Sequence, residues 1–276
     1  MSVTGIREHP MNVDFTWPRH DGPYRILDQG QAASFDERGF IVLPDVFAAD
    51  ALAPVIASLD RHEAKVDAFL RTMEDERFSI AEAGAITFAP NLAHRDDTLG
   101  AFARHPRLLD LCHDLVGRDV DLYWDQAVYK KPEKPRRFPW HQDNGYTLVD
   151  PQYYLTCWVA LTDATIDNGC PHVAPGLHVG GTYQHAYVDP LGWQVFDEAP
   201  SSEVAEVGAG GIVVFSSLTP HLTGPNTTGD VRKAYILQYS PAGAEILSSD
   251  GGETVDRRPV IDGPHVFPVL RGGEPV

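Results

Sequence analysis

VDLYWDQAVYK (120–130), RFPWHQD (137–143), YYLTCWVALTDA (153–164), HVAPGLHV (172–179), GGIVVFSS (210–217) and KAYILQYS (233–240) are six short β-prone runs. Pro, Gly, Asn and Asp punctuate the gaps between them. Several short strands separated by turn signals predict a sandwich or barrel. Before Asp119 the texture differs. ASFDERGFIVLPDVF (33–47) opens like a helix, breaks at Gly39, and continues as the short apolar run Phe40 to Leu43, stopped by Pro44. Ala48 to about Met73 carries Leu52, Val55, Ile56 and Leu59 near helical spacing. LGAFARHPRLLDLCHDLVG (99–117) reads as two helical pieces split at Pro106, the second closed by Gly117. These readings predict one domain of 276 residues, mainly β with flanking helices. It comprises an irregular arm (1–30), a helix-rich support (33–117), a β core (119–242) and an irregular Gly- and Pro-rich tail (243–276).

Composition narrows the function classes. The chain is 43% hydrophobic and 22% charged, which excludes a disordered chain, a collagen-like repeat and a disulfide scaffold. No apolar run approaches the ~18 residues of a membrane-spanning helix. MSVTGIREHPMNVDF lacks an apolar signal core, which argues against secretion. A net charge of −17 repels phosphate backbones and anionic membranes, so neither nucleic acid nor membrane is expected as a partner. Cys112, Cys157 and Cys170 are too few and scattered for a disulfide framework and read as reduced thiols of a cytoplasmic protein.

The sharpest local signal is Trp140-His141-Gln142-Asp143. In a strand, positions i and i+2 face the same side, so His141 and Asp143 can address one point. His221 follows at the end of another β-prone run, GGIVVFSSLTPH (210–221). Two histidines and one carboxylate on one face of a metal leave the opposite positions open, the ligand set of non-haem Fe(II) oxygenases. A structural zinc site would want a fourth protein ligand, and none is evident. His-x-Asp alone is weak in a chain with 12 His and 39 acidic residues. Arg232 strengthens it. It opens the apolar strand RKAYILQYS, and an arginine entering a barrel core needs an anion. Its planar fork matches a carboxylate, so a dicarboxylate that chelates the metal and meets Arg232 would account for both features.

HQD, then YYLTCWVALTDATIDNGCPHVAPGLH (153–178), then PHLTGPNTTGDVRKAY (220–235) resemble the phytanoyl-CoA dioxygenase family of Fe(II)/2-oxoglutarate oxygenases, and ASFDERGFIVLPDVF resembles its N-terminal helix and strand. The resemblance covers roughly residues 33–242. It implies a double-stranded β-helix, a jelly-roll, cupin-like core with helices outside. It implies Fe(II), 2-oxoglutarate and dioxygen as cofactor and cosubstrates, with His141, Asp143 and His221 on iron. It implies that Arg232 pairs with the far carboxylate of 2-oxoglutarate and that Thr223 hydrogen-bonds it. WDQAVYKKP (124–132) resembles a family strand ending in Lys-Pro, which adds Gln126 and Lys130 to the cosubstrate set. Lys130 is preferred over Lys131 because it shares a face with Gln126. Trp158 falls where the family places a pocket-lining tryptophan, and Asn144, Tyr146 and His94 join it as substrate-pocket candidates. Trp124 is read as core packing. Asn226 is read as a brace for the turn between His221 and Arg232.

Hydroxylation of an unactivated carbon of a small-molecule metabolite is the expected reaction, because Asp143 fills the position that a halide would need. Two rivals keep the barrel: a non-oxidative cupin-like isomerase or lyase, and a silent 2-oxoglutarate-binding module. Specificity is expected on 78–98, 144–152 and 180–205, with Lys130, Lys131, Lys134, Arg136 and Arg137 forming a basic patch near the mouth.

Overall fold

The computed structural model describes residues 6–249, 255–261 and 263–276. The first five residues of the expected arm, and residues 250–254 and 262 of the expected tail, lie outside the described residues. Helix α1 (Gln29–Arg38) starts at a capping box between Asp28 and Gln31. It stops at Gly39, whose φ of 80° is a left-handed conformation that glycine adopts without a Cβ penalty. Strand β1 (Phe40–Leu43) follows, then α2 (Ala49–Leu70), β2 (Ile86–Pro90), α3 (Asp97–Ala103) and α4 (Pro106–Leu115). Pro106 sits at the first position of α4, where its missing N–H costs nothing.

The β core contributes β3 (Val120–Lys130), β4 (Phe138–His141), β5 (Leu155–Ala160), β6 (Pro171–Val173), β7 (Ile212–Ser216), β8 (His221–Thr223) and β9 (Arg232–Pro241). They form two antiparallel sheets. The large one runs β1-β7-β5-β9-β3-β2 and continues through two short strands, 81–82 and 77–78. The small one runs from 203–204 through β6 and β8 to β4. This is the expected mainly-β jelly-roll with helices outside.

Alternation divides the large sheet into two faces. Tyr235, Leu237 and Tyr239 of β9, with Leu155, Cys157 and Val159 of β5, face a core shared with the helices. From α4 that core receives Leu108, Leu111, Cys112 and Leu115, which fall at i, i+3, i+4 and i+7. Each fully buried leucine stabilises the docking by about 1.5–3 kcal/mol relative to exposure. Trp158, Ala160, Phe215, Ala234 and Ile236 point the other way, into a second core between the sheets. The site lies at the open end of this second core.

Two expectations need correction. The tail is not irregular: Glu245–Ser249 and Val255–Pro259 pair with each other, and Phe267–Arg271 pairs with β3. The helix-rich support also carries strands, as β2 and its two short neighbours extend the large sheet beyond β3. HVAPGLHV is not one strand; β6 ends at Val173 and Leu177–Gly180 forms a 3-10 turn. Pro175 and Gly176 end the alternation in HVAPGLHV and Pro268 breaks it in Phe267–Arg271, whereas Glu245–Ser249 and the two-residue strands are too short to show a clear period and take their order from pairing.

Candidate metal centre

β4 and β8 are neighbours, and their register sets His141 directly opposite His221. The two imidazole centroids are 4.1 Å apart. Asp143 reaches the same point differently from the expected strand alternation. β4 ends at His141, and Asp143 opens a 3-10 turn, Asp143–Gly145. The turn bends the carboxylate back, so Asp143 Oδ1 lies 3.7 Å from His141 Nε2 and 3.8 Å from His221 Nε2. Two donors that share a metal at about 2.1 Å each are at most about 4.2 Å apart, so both separations fit a common ion. His141, Asp143 and His221 form the one such cluster among the described residues.

Each ligand atom is oriented by a neighbour. His141 Nδ1 is 2.8 Å from Pro139 O, and His221 Nδ1 is 3.0 Å from Thr219 O. A carbonyl only accepts, so Nδ1 carries the proton and Nε2 keeps its lone pair for a metal. Burial, reinforced by His221, pushes the His141 pKa well below the ordinary imidazole value and keeps it neutral. Thr156 Oγ1 donates to Asp143 Oδ2 at 2.6 Å, which leaves Oδ1 for the shared point. Gln238 in turn donates to Thr156.

Gln142, the middle residue of the motif, points away. Its amide donates to Gly181 O and Leu218 O and accepts from Tyr183 N. The Gln142 backbone N–H donates to His185 Nε2. His185 packs so closely on the turn that a Cβ at Gly145 would sit 2.1 Å from its ring. Thr156, Gln142 and His185 were not singled out from the sequence. Thr156 was findable, because it alternates with Trp158 on the inward face of β5.

A narrow inner chamber lies behind the triad. Gln126, Thr156, Trp158, Thr223 and Arg232 line it together with His141, Asp143 and His221. Arg232 is 1% exposed. Its Nη1 makes one long contact, 3.5 Å to Val128 O, while Nε and Nη2 have no partner. Its guanidinium carbon lies 5.0 Å from the Trp158 ring centroid. Burial pushes its pKa down to about 9. An unpaired buried charge costs several kcal/mol, so this geometry is complete only with an anion in the chamber. The donor sets therefore fit an iron at the triad and a dicarboxylate reaching Arg232.

Lys130 lies on the face of Gln126 as expected, but its ammonium does not line the chamber. It is 1% exposed, and Nζ donates to the carbonyls of Arg136, Thr223 and Gly224. Burial, then Arg232, pushes its pKa well down. These carbonyls engage the ammonium, so Lys130 braces the end of β8 and the turn after it and is not part of the chamber lining. Asn226 helps, donating to Lys130 O and Asp230 O. Lys131 pairs with Glu63 and Asp67 on the other face.

An outer cavity of about 580 Å³ opens beside the triad, sharing Phe88, Gln126, Phe138, His141 and Asp143 with the inner chamber. Tyr146 lines it, its ring edge-on to His141 with centroids 5.5 Å apart. Trp124 lines it too, contrary to the core role expected of it. Three pocket assignments fail. Asn144 is buried and locked to Val149 and Thr182 Oγ1, because the turn after Asp143 needs it as a brace. Trp158 belongs to the inner chamber. His94 is exposed beside His265 on a separate crevice with Asp97 and Arg104. Segments 78–81 and 146–147 line the cavity, whereas 180–205 does not. The end of α2, with Val66, Phe69 and Leu70, was not anticipated. A larger crevice of about 1000 Å³ beside residues 15–24 shares no lining residue with either chamber. The His20–Asp36 pair there is committed to Leu115 O and Trp17.

Comparison with known proteins agrees with this geometry. A family model described as phytanoyl-CoA dioxygenase matches residues 35–234. A probable phytanoyl-CoA dioxygenase of Caenorhabditis elegans is 29% identical over 160 residues, 52% of this chain; the chain spans about half (51%) of that protein's length. The ectoine dioxygenase of Bordetella bronchiseptica is 26% identical over 237 residues, 78% of this chain and 75% of that protein. Among solved structures, the epimerase SnoN in complex with Fe3+, alpha ketoglutarate and nogalamycin RO superposes with a TM-score of 0.67 at 21% identity, covering 87% of this chain and 97% of that one. This last likeness establishes the shared fold.

Proposed function

This chain belongs to the phytanoyl-CoA dioxygenase family of Fe(II)- and 2-oxoglutarate-dependent enzymes, and we propose that it hydroxylates an unactivated carbon of a small-molecule metabolite. The overall change would be substrate C–H plus 2-oxoglutarate plus dioxygen giving C–OH, succinate and carbon dioxide. The observation that carries this reading is Arg232, buried with two unpartnered nitrogens in the chamber that also holds the triad donors.

In this reading His141, Asp143 and His221 hold the iron, which supplies the activation of dioxygen. Arg232 takes the far carboxylate of 2-oxoglutarate through its planar fork, and Thr223 lines the same end. Trp158 packs beside the guanidinium and keeps water from it. Thr156 holds Asp143 so that one oxygen serves the metal. Asp143 would fill the coordination position that a halide would need, which argues against halogenation. The outer cavity presents the substrate to the open face of the triad.

The test is anaerobic addition of 2-oxoglutarate to Fe(II)-loaded protein, followed by oxygen and a substrate screen read by succinate release and mass spectrometry. A visible charge-transfer band and a product heavier by one oxygen atom are expected. A product of unchanged mass, as an epimerase would give, would remove hydroxylation while leaving the family assignment standing.

A further inference from the structure

The outer cavity carries a statement about the substrate. Its walls are aromatic: Phe69, Phe78, Phe88, Trp124, Phe138 and Tyr146. Among the described residues that line it, Asp143 is the one charged side chain, and it faces the triad. Apart from the His141 imidazole, the remaining polar side chains are neutral amides and hydroxyls. The Gln126 side chain makes no hydrogen bond with the described residues and is available at the junction of the two chambers. Tyr154 and Gln238 add a phenol and a second amide. Burial raises the pKa of Tyr154 well above the ordinary phenol value, so it stays a neutral donor.

Among the described residues, none of those that line the cavity carries a positive charge. Four of the five cations expected to form a basic patch are engaged. Lys130 is buried on carbonyls, Lys131 pairs with Glu63 and Asp67, Lys134 with Glu76 and Glu82, and Arg136 with Glu82. Arg137 alone is left, on a chain of net charge −17. The rim is instead apolar: Phe69 is 53% and Phe78 60% exposed, both at the cavity edge. Exposed aromatic side chains around a concave apolar site mark where apolar surface is to be covered.

We propose that the substrate is an uncharged, predominantly apolar molecule of drug-like size carrying a few hydroxyl or carbonyl oxygens, not a coenzyme A thioester, a free amino acid or another ionic metabolite. The proposal rests on the oxygenase reading above. Apolar surface is covered by the aromatic walls, and Gln126 and Tyr154 fix its orientation through neutral hydrogen bonds. A charged group in this cavity would be desolvated without a partner.

The experiment uses Fe(II)- and 2-oxoglutarate-loaded protein under anaerobic conditions, with testosterone, octanoyl-CoA and L-proline as probes. Binding is followed by perturbation of the charge-transfer band and by calorimetry. Testosterone is expected to bind at least about tenfold more tightly than either ionic probe. Phe78→Asp, or Phe69→Asp if the first variant is poorly behaved, is expected to weaken testosterone by about tenfold, with the band before probe addition showing that the variant is still loaded. Tighter binding of octanoyl-CoA or proline, or no response to testosterone in a preparation that shows the band, overturns the substrate class and leaves the oxygenase reading intact. Absence of the band in wild-type protein overturns that reading, and the proposal with it.

Discussion

The inner chamber and the outer cavity share five side chains, yet their chemistry is opposite. The inner chamber ends in a buried guanidinium with unmet hydrogen-bonding capacity, whereas the outer cavity is aromatic and, Asp143 apart, neutral. The inner one is built for a specific anion, the outer one for apolar area. Lys130 shows why burial alone is not the cue. Lys130 and Arg232 are register partners on adjacent strands, and each is 1% exposed. Three carbonyls surround the ammonium, so Lys130 is satisfied by the fold. Arg232 has Nε and Nη2 left over. A buried cation points to a ligand only where its donors are not already engaged by the chain.

The largest expected effect breaks the inner chamber at its metal end. His221→Ala removes one of three donors and exposes a site that no other described residue completes. Metal content should fall from one Fe(II) per chain to near zero by elemental analysis, and the 2-oxoglutarate band should vanish. Retention of both would mean that the triad is not the ligand set.

The next pair of variants tests the contrast between the two cations. Arg232→Met should weaken 2-oxoglutarate by about 2–5 kcal/mol, on the order of 30- to several thousand-fold. The same change should leave iron binding in place and make the ligand-free protein no less stable, because it removes an unpaired buried charge. Lys130→Met should do the reverse. It strands carbonyls that the ammonium now engages, so it should cost about 1–3 kcal/mol of stability in denaturant melts. Equal stability losses in the two variants would erase the distinction. Smaller still is Thr156→Val, which frees Asp143 Oδ2 and should cost about 10–100-fold in metal affinity with little change in fold.

Much of this was legible in the sequence, and the failures have physical causes. Periodicity located α1, α2 and the break at Pro106, because an amphipathic face and a proline are local signals. The triad and Arg232 were legible because their chemistry is costly to bury without purpose. Lys130 misled because alternation predicts which face a side chain leaves from, but not which carbonyl its long arm reaches. Asn144 and His94 misled because proximity in sequence to a motif does not say which way a turn projects. The strands after residue 243 were hidden because they are short and lack clean alternation, so they take their order from their partners. Lining from the end of α2 was hidden for the same reason, since only tertiary contact brings Phe69 to the cavity.

The smallest expected effect sharpens the outer half of the comparison. Phe69 projects from the last turn of α2 and is 53% exposed, so the fold gains little from it. Surface substitutions away from caps, cores and ion pairs usually stay within about 0.5 kcal/mol. Phe69→Ser should therefore leave the denaturation midpoint nearly unchanged, and 2-oxoglutarate affinity should be unaltered because Phe69 does not line the inner chamber. Chemical denaturation and calorimetry read the two quantities. A stability loss above about 1 kcal/mol would place Phe69 in the packed core, and the cavity edge would then be part of the scaffold. A change in 2-oxoglutarate affinity would show that the two chambers are coupled through the side chains they share, and the division between an anion site and an apolar site would no longer hold.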